Sequence, residues 1–357
     1  MIPRDRQYVI PIHGVRISMV KFLDVPAVAA LVNRIGPVPF LAGLVAYLEE
    51  DFRRWEQFEK SARLASHSTH GVIELMPTSD DTLYAFKYVN GHPANASSGK
   101  LTVTGLGVLA EVSTGYPLLV SEMTLCTALR TAATSAMAAK HLARPESTTM
   151  AMIGLGAQAE FQALAFMAAT NVRTIRAFDI NPAAFEKFSR NLVGSGLTIV
   201  QATSADDAIA GADIITTATA AKKRQAVLSA AQVHAGVHLN AIGGDCPGKT
   251  ELEAAILPMG KVFVEYAPQS RIEGEVQQVP ADFPVTELWQ VLTGRAPGRT
   301  TASDITIFDS VGFAIEDFAM LRYLYDLTQR DGGAIDIDVV PELVDPTDLY
   351  GVLTAGR

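Results

Sequence analysis

The stretch Gly154-Leu155-Gly156-Ala157-Gln158-Ala159 limits what this chain can fold into more than any other. It follows a short apolar run at 150–153 and opens a helical pattern over 157–169. A Gly-x-Gly-x-x-Ala turn between strand and helix suits a dinucleotide pyrophosphate. Gly154 permits the tight turn, Gly156 lets the backbone approach the phosphates, and Ala159 lets the helix pack closely on the strand. The helix N-terminus adds free N–H groups and partial positive charge. Asp179 closes the next strand, 174–178. An acid there accepts hydrogen bonds from the adenosine ribose hydroxyls and repels a 2′-phosphate, so the expected cofactor is NAD rather than NADP. The plainer alternative is that Asp179 only caps the helix at Asn181-Pro182.

The alternation continues, with strands at 197–200, 213–217, 237–242, 262–265 and 305–308 and helices near Pro182 and after Ser204. This predicts βαβ units and an α/β, doubly wound Rossmann-type sheet over residues 144–312. Ligands of such sheets bind at the carboxyl ends of the strands. That makes Thr216, Thr217 and Thr219, then Gly243, Gly244 and Asp245, then Ser310, Val311 and Gly312 candidates for the rest of the site, although any one of them also reads as an ordinary turn residue.

Residues 1–143 have a different period. Helices at 24–35 and 37–55, the second with Glu49, Glu50, Arg53 and Arg54 on a charged outer face, precede strands at 62–76 and 83–89. A hairpin turn at 113–116 and an Ala-rich helix at 124–143 follow. This is an α+β domain, which a helix at 313–330 and the C-terminal tail to 357 are expected to rejoin. Its cations stand in unusual places. Lys87 interrupts the face of Leu83, Ala85 and Val89, Arg63 starts a strand, and Arg130 lies in an almost uncharged helix. A buried cation needs an anion. Either the three form a carboxylate clamp in one cleft, or Lys87 is at a sheet edge and the arginines pair with local acids. Asp245 after two glycines is the candidate acid/base, and Glu74 a weaker candidate for a substrate ammonium. His67, His70 and His92 lack metal-site spacing.

Composition bounds the class. With 357 residues, 48% hydrophobic and 19% charged, the chain can fill two cores. A net charge of -9 argues against a nucleic-acid partner. No uncharged apolar run is long enough for a bilayer, so no membrane partner is expected. The first residues carry Arg4, Asp5, Arg6 and Arg16 without an apolar core, unlike a secretory signal, and the expectation is a cytoplasmic protein. Two distant cysteines, Cys126 and Cys246, suggest neither a metal site nor a disulfide framework.

Several stretches together resemble the ornithine cyclodeaminase/mu-crystallin family: Lys60-Ser61-Ala62-Arg63, Gly71-Val72-Ile73-Glu74-Leu75-Met76-Pro77, Phe86-Lys87-Tyr88-Val89-Asn90-Gly91-His92-Pro93, Ala128-Leu129-Arg130-Thr131, the glycine turn, Gly243-Gly244-Asp245-Cys246-Pro247-Gly248-Lys249-Thr250, and Asp309-Ser310-Val311-Gly312-Phe313. The resemblance covers about residues 20–330. It implies a homodimer whose first domain carries the substrate clamp and the dimer contact, and a small amino acid, L-ornithine, as substrate. It implies that Arg63, Lys87 and Arg130 hold the substrate carboxylate, that Asp245 is the acid/base and that Val311 lines the pocket. NAD would meet Thr102, Arg130, Ala157, Gln158, Asp179, Thr219, Ile242, Gly243, Gly244, Asp245, Lys249 and Ser310. A lysine cyclodeaminase, an amino acid dehydrogenase or a ketimine reductase would use the same clamp and cofactor. A non-catalytic binder would have no need of Asp245.

Overall fold

The computed structural model describes residues 19–219, 226–244 and 246–354. The chain runs β1 (Val20–Leu23), α1 (Val25–Ile35), α2 (Pro37–Arg53), β2 (Leu64–His67), β3 (Val72–Ser79), β4 (Leu83–Gly91), β5 (Val103–Glu111), β6 (Pro117–Glu122) and α3 (Thr124–Leu142). Then come β7 (Thr149–Ile153), α4 (Ala159–Ala169), β8 (Thr174–Phe178), α5 (Pro182–Asn191), β9 (Thr198–Gln201), α6 (Ala205–Ile209), β10 (Ile214–Thr217) and β11 (His238–Ala241). The last elements are β12 (Lys261–Val264), α7 (Ala267–Glu273), β13 (Thr286–Glu287), α8 (Leu288–Leu292), β14 (Thr306–Asp309), α9 (Ala314–Asp331) and β15 (Ile335–Ile337).

The second half is an eight-stranded sheet in the order β13-β12-β14-β11-β10-β7-β8-β9, parallel throughout. Its central strands β7, β10, β11 and β14 are buried on both faces, which is why they read as apolar runs rather than alternating ones. Strand order reverses between β7 and β10, and a crevice opens at such a switch point.

The first half is a mixed seven-stranded sheet, β15-β1-β6-β5-β4-β3-β2. Its inner face packs on α9 so closely that a Cβ on Gly107 would lie 3.1 Å from a Leu321 methyl. Phe40, Leu44, Leu48 and Phe52 of α2 are fully buried in the core that joins α2, α3, α4 and α9. No single helix among the described residues is long and apolar enough to cross a membrane. The pair α1 and α2 reaches that length only together, bent by 100°.

Three local expectations change. The segment 62–76 is two strands, because the Ser68 hydroxyl accepts from the His70 and Gly71 N–H groups and turns the chain. Glu49 is not on an exposed face. It is 8% exposed and holds Lys140 Nζ at 2.8 Å and His141 Nε2 at 2.9 Å, which lowers its pKa to about 2. Residues 20–23, to which the sequence pattern assigns no element, form β1, inserted between β6 and β15. Residues 1–18 lie outside the described residues.

Candidate active site

The glycine turn lies at the switch point. Gly154 has φ +94, and a Cβ there would lie 2.5 Å from the Ala218 carbonyl oxygen, so the left-handed turn and its closeness to the chain after β10 both require glycine. At Gly156 a Cβ would meet nothing within 4 Å, leaving open space above the turn. Gln158 precedes α4 without a side-chain cap, and its Oε1 is buried with no partner. Asp179 Oδ2 accepts from Leu155 N–H at 2.7 Å, and Oδ1 accepts from Asn181 N–H at 2.8 Å. Asp179 therefore ties the glycine turn to the end of β8 as well as steadying the entry to α5. Beside it Phe178, Ile180, Phe185 and Thr203 line a recess of about 670 Å³.

Further along the strand ends, Thr219 donates both its N–H and its hydroxyl to Glu251 Oε1. Glu251 is fully buried, and its carboxyl fills the space a Cβ on Gly243 would need. Burial raises its pKa. Glu275 accepts from the Glu251 and Leu252 N–H groups at 2.6 and 3.1 Å, and Asp309 accepts from Glu275 and Val276 N–H at 2.8 and 2.9 Å. Burial, with Asp309 adding to it, pushes Glu275 to about 8; burial alone pushes Asp309 to about 7. This ladder of acids beneath the turns was not foreseen. Its members look like ordinary strand-end acids in sequence, and only the neighbouring Gly243-Gly244 hints that something bulky must fit there.

The three cations gather around the turn after β14 and the first turn of α9. Arg63 Nη2 donates to the carbonyl oxygens of Val311 at 2.7 Å and Gly312 at 2.9 Å. Its other nitrogens face Glu74 and Glu273, each at 3.1 Å. Lys87, on the inner face of β4 and 1% exposed, reaches Asp317 at 2.8 Å. Arg130 of α3 holds Glu316 at 2.6 Å and Asp317 at 3.0 Å. Gly312 has φ +78, and a Cβ there would strike the Arg130 guanidinium at 2.5 Å. Burial, helped by Arg130, draws Lys87 down to about 8 against the pull of Asp317. For Arg130 burial works the same way, but Asp317 and Glu316 outweigh it and raise its pKa. The cations share one place and each has an acid there; Lys87 is not at a sheet edge, because β4 lies between β3 and β5 and its inner face is covered by α9.

Glu265, Glu273, Glu316 and Asp317 were missed. The adjacent acids of Phe313-Ala314-Ile315-Glu316-Asp317-Phe318, inside an apolar helix, carried the available signal. Val311 is buried beside Arg63. Ser310 donates to Glu265 at 2.6 Å. Thr102 lies before β5, its carbonyl accepting from His92 N–H at 2.9 Å, with no hydrogen bond to the parallel sheet among the described residues. Ile242, Gly244 and Lys249 lie on the chain leaving β11, and Asp245 lies outside the described residues. Among the described residues no group of His, Cys, Asp and Glu could hold a metal ion.

A glycine turn at the switch point of a parallel sheet, in a chain whose second, mixed sheet brings buried ion-paired cations to the strand ends, defines a particular class. The chain belongs to the ornithine cyclodeaminase/mu-crystallin family, whose pattern matches residues 26–332. Over 337 residues it is 57% identical to the ornithine cyclodeaminase of Brucella suis biovar 1, covering 94% of each chain. Among solved structures it is similar to a lysine cyclodeaminase described for its recognition of L-lysine, L-ornithine and L-2,4-diaminobutyric acid, with TM-score 0.85, 29% identity, and 93% and 99% of the two chains covered. It is also similar to an archaeal alanine dehydrogenase dimer with bound NAD, with TM-score 0.82, 30% identity, and 90% and 99% covered.

Proposed function

We infer that the chain acts as an ornithine cyclodeaminase, converting L-ornithine to L-proline and ammonia with NAD as a recycled cofactor. The likeness to the Brucella enzyme supports the substrate. The observation that carries the chemistry is the meeting of three buried cations at the carboxyl end of the parallel sheet: Arg63 on the Val311 and Gly312 carbonyls, and Lys87 and Arg130 together on Asp317 in the first turn of α9.

The cofactor fits the residues present: the space above Gly156, the uncapped start of α4, the unpartnered Gln158 oxygen and the Asp179 carboxylate all suit a dinucleotide. Gly154, Gly156, Ala157 and Gln158 would hold its pyrophosphate and Asp179 its ribose. Thr219, Ile242, Gly243, Gly244, Asp245, Lys249 and Ser310 would line the path to the nicotinamide, with Thr102 and Arg130 at its edge. Bound NAD supplies hydride acceptance from the ornithine Cα and hydride return to the same carbon, so the overall conversion has no net redox change.

The chain's part is position and charge. Arg63, Lys87 and Arg130 grip the carboxylate, fixing Cα without touching either amine. Val311 closes one wall of the pocket and Glu74 faces the ammonium side. Asp245 takes the proton that the δ-ammonium must lose before its nitrogen attacks Cα, and passes a proton to the departing ammonia.

A dimer fits the outer face of the first sheet. Leu64, Leu75, Tyr88 and Leu106 are cross-strand neighbours there, 38–62% exposed. A contiguous apolar row of this kind marks a partner surface.

The direct test supplies L-ornithine and a trace of NAD and measures both products. Proline and ammonia should appear one to one with no NADH accumulating. NADH growing in step with ammonia would make the chain a dehydrogenase instead. Asp179→Ala should weaken NAD by about tenfold or more, the loss of a charge-assisted bond, and relax the preference over NADP. Unchanged preference in coenzyme titrations removes Asp179 from the ribose site.

A further inference from the structure

Glu265, the residue just past β12, is fully buried and so far has no role. One carboxyl oxygen accepts from the Ser310 hydroxyl at 2.6 Å and from Gly312 N–H at 3.1 Å; the other accepts from Val311 N–H at 3.3 Å. The Val311–Gly312 peptide is held from both edges, its N–H by Glu265 and its carbonyl by Arg63; the following carbonyl, of Gly312, takes Arg63 and, at 2.8 Å, Gln269. Glu265 and Arg63 thus hold the turn between them. Arg130 lies against Gly312 on a third side.

Charge sets the form in which Glu265 does this. Around the turn stand the cations Arg63, Lys87 and Arg130 and the acids Glu74, Glu265, Glu273, Glu316 and Asp317. With every acid ionised, five negative charges oppose three positive ones in a buried space, before any substrate carboxylate enters. Such an excess is relieved by protonation. Glu265 is the acid with no ion pair among the described residues; it faces backbone N–H groups, the Ser310 hydroxyl, Glu316 of α9 and, across the turn, the Arg130 guanidinium of α3, which is already paired with Glu316 and Asp317.

We propose that Glu265 is a positioning residue for the clamp, holding the Ser310–Gly312 turn as an uncharged acid that adds no further negative charge beside the cations that take the substrate carboxylate. The proposal rests on the cyclodeaminase reading. Burial and the nearby Glu316 place its titration at about 8, against the hydrogen bonds that favour its charged form. Lys87 of β4 titrates in the same range. As pH rises past that point Glu265 gains a negative charge and Lys87 loses its positive one. Both changes oppose an anionic ligand, so binding is complete at lower pH and is lost as pH rises.

The probe is L-proline, the product, whose amine stays protonated through this range, titrated onto the NAD-loaded protein. Two linked protons let the wild-type Kd rise by up to about a hundredfold per pH unit above about pH 8. In Glu265→Gln, an uncharged mimic of the acid, Lys87 is the one group of the clamp that still titrates in this range, so the rise is at most about tenfold per unit, and the Kd at pH 7 stays within about threefold of wild type; Glu275, which also titrates at about 8, lies under the Gly244 turn and is the same in both proteins. Equal steepness in both proteins overturns the proposal, as does loss of proline binding at pH 7 in a folded variant. If the variant does not fold, the wild type decides. Calorimetry in buffers of different ionisation enthalpy at about pH 9 should show uptake approaching two protons on proline binding; one or none overturns the proposal. A wild type that neither binds proline nor forms it from ornithine overturns the functional reading together with this one. A wild type that forms proline while its variant keeps the full pH response overturns Glu265 alone.

Discussion

Lys87→Met should cut kcat/KM for L-ornithine by about 10²–10³, with NAD affinity and Tm little changed. Truncating one partner of a buried, hydrogen-bonded charge pair costs about 2–5 kcal/mol, and each 1.4 kcal/mol is tenfold. Most of that cost usually comes from the partner left stranded. Here Asp317 is not stranded, because Arg130 Nε remains 3.0 Å away. The fold therefore keeps its compensation, and methionine fills the same inward position between Ala85 and Val89 on β4. What is lost is one of the three charges proposed to meet the substrate carboxylate. Arg130 is a poorer choice for this test, since its removal uncovers Glu316 and Asp317 together. Steady-state kinetics with thermal melts separate the two effects. A fall in Tm with kcat/KM within about threefold of wild type would make Lys87 a structural cation only.

The sequence shows where these groups lie more readily than what they touch. The parallel sheet is legible because strands buried on both faces must be apolar throughout, as in β7, and because a strand-to-helix turn with Gly154 has few other uses. The cations are legible by violation: a lysine in the period-two apolar face of β4 breaks the pattern that burial imposes. Their partners are not legible. Asp317 is 230 residues from Lys87, and the spacing of one segment carries no record of what packs against it. The same limit hides Glu265 and the acids beneath the glycine turns, whose only local trace is the absence of a side chain at Gly243. It also misplaces Glu49, which the helical period sets on an outer face until α3 covers it with Lys140 and His141. β1 escapes notice because four residues offer no period, and only pairing with β6 and β15 makes them a strand.

Asp245→Asn should lower kcat for proline formation by about 10²–10⁴, the range for loss of a positioned acid/base, while the Kd for NAD stays within about threefold. The amide keeps the size and polarity of the carboxyl but cannot take up the proton that, in the proposed reaction, leaves the δ-nitrogen for the departing ammonia. The effect falls on kcat because the chain leading to residue 245 is rigidly mounted. Gly243 rests on the Glu251 carboxyl, Gly244 lies against Glu275 Oε1, and Glu251 is itself fixed by Thr219 and by its own N–H donating to Glu275. Single-turnover measurements with NAD already bound isolate the chemical steps from cofactor capture. Turnover at the wild-type rate in Asp245→Asn would take this residue out of the reaction and leave proton transfer to another acid or to water.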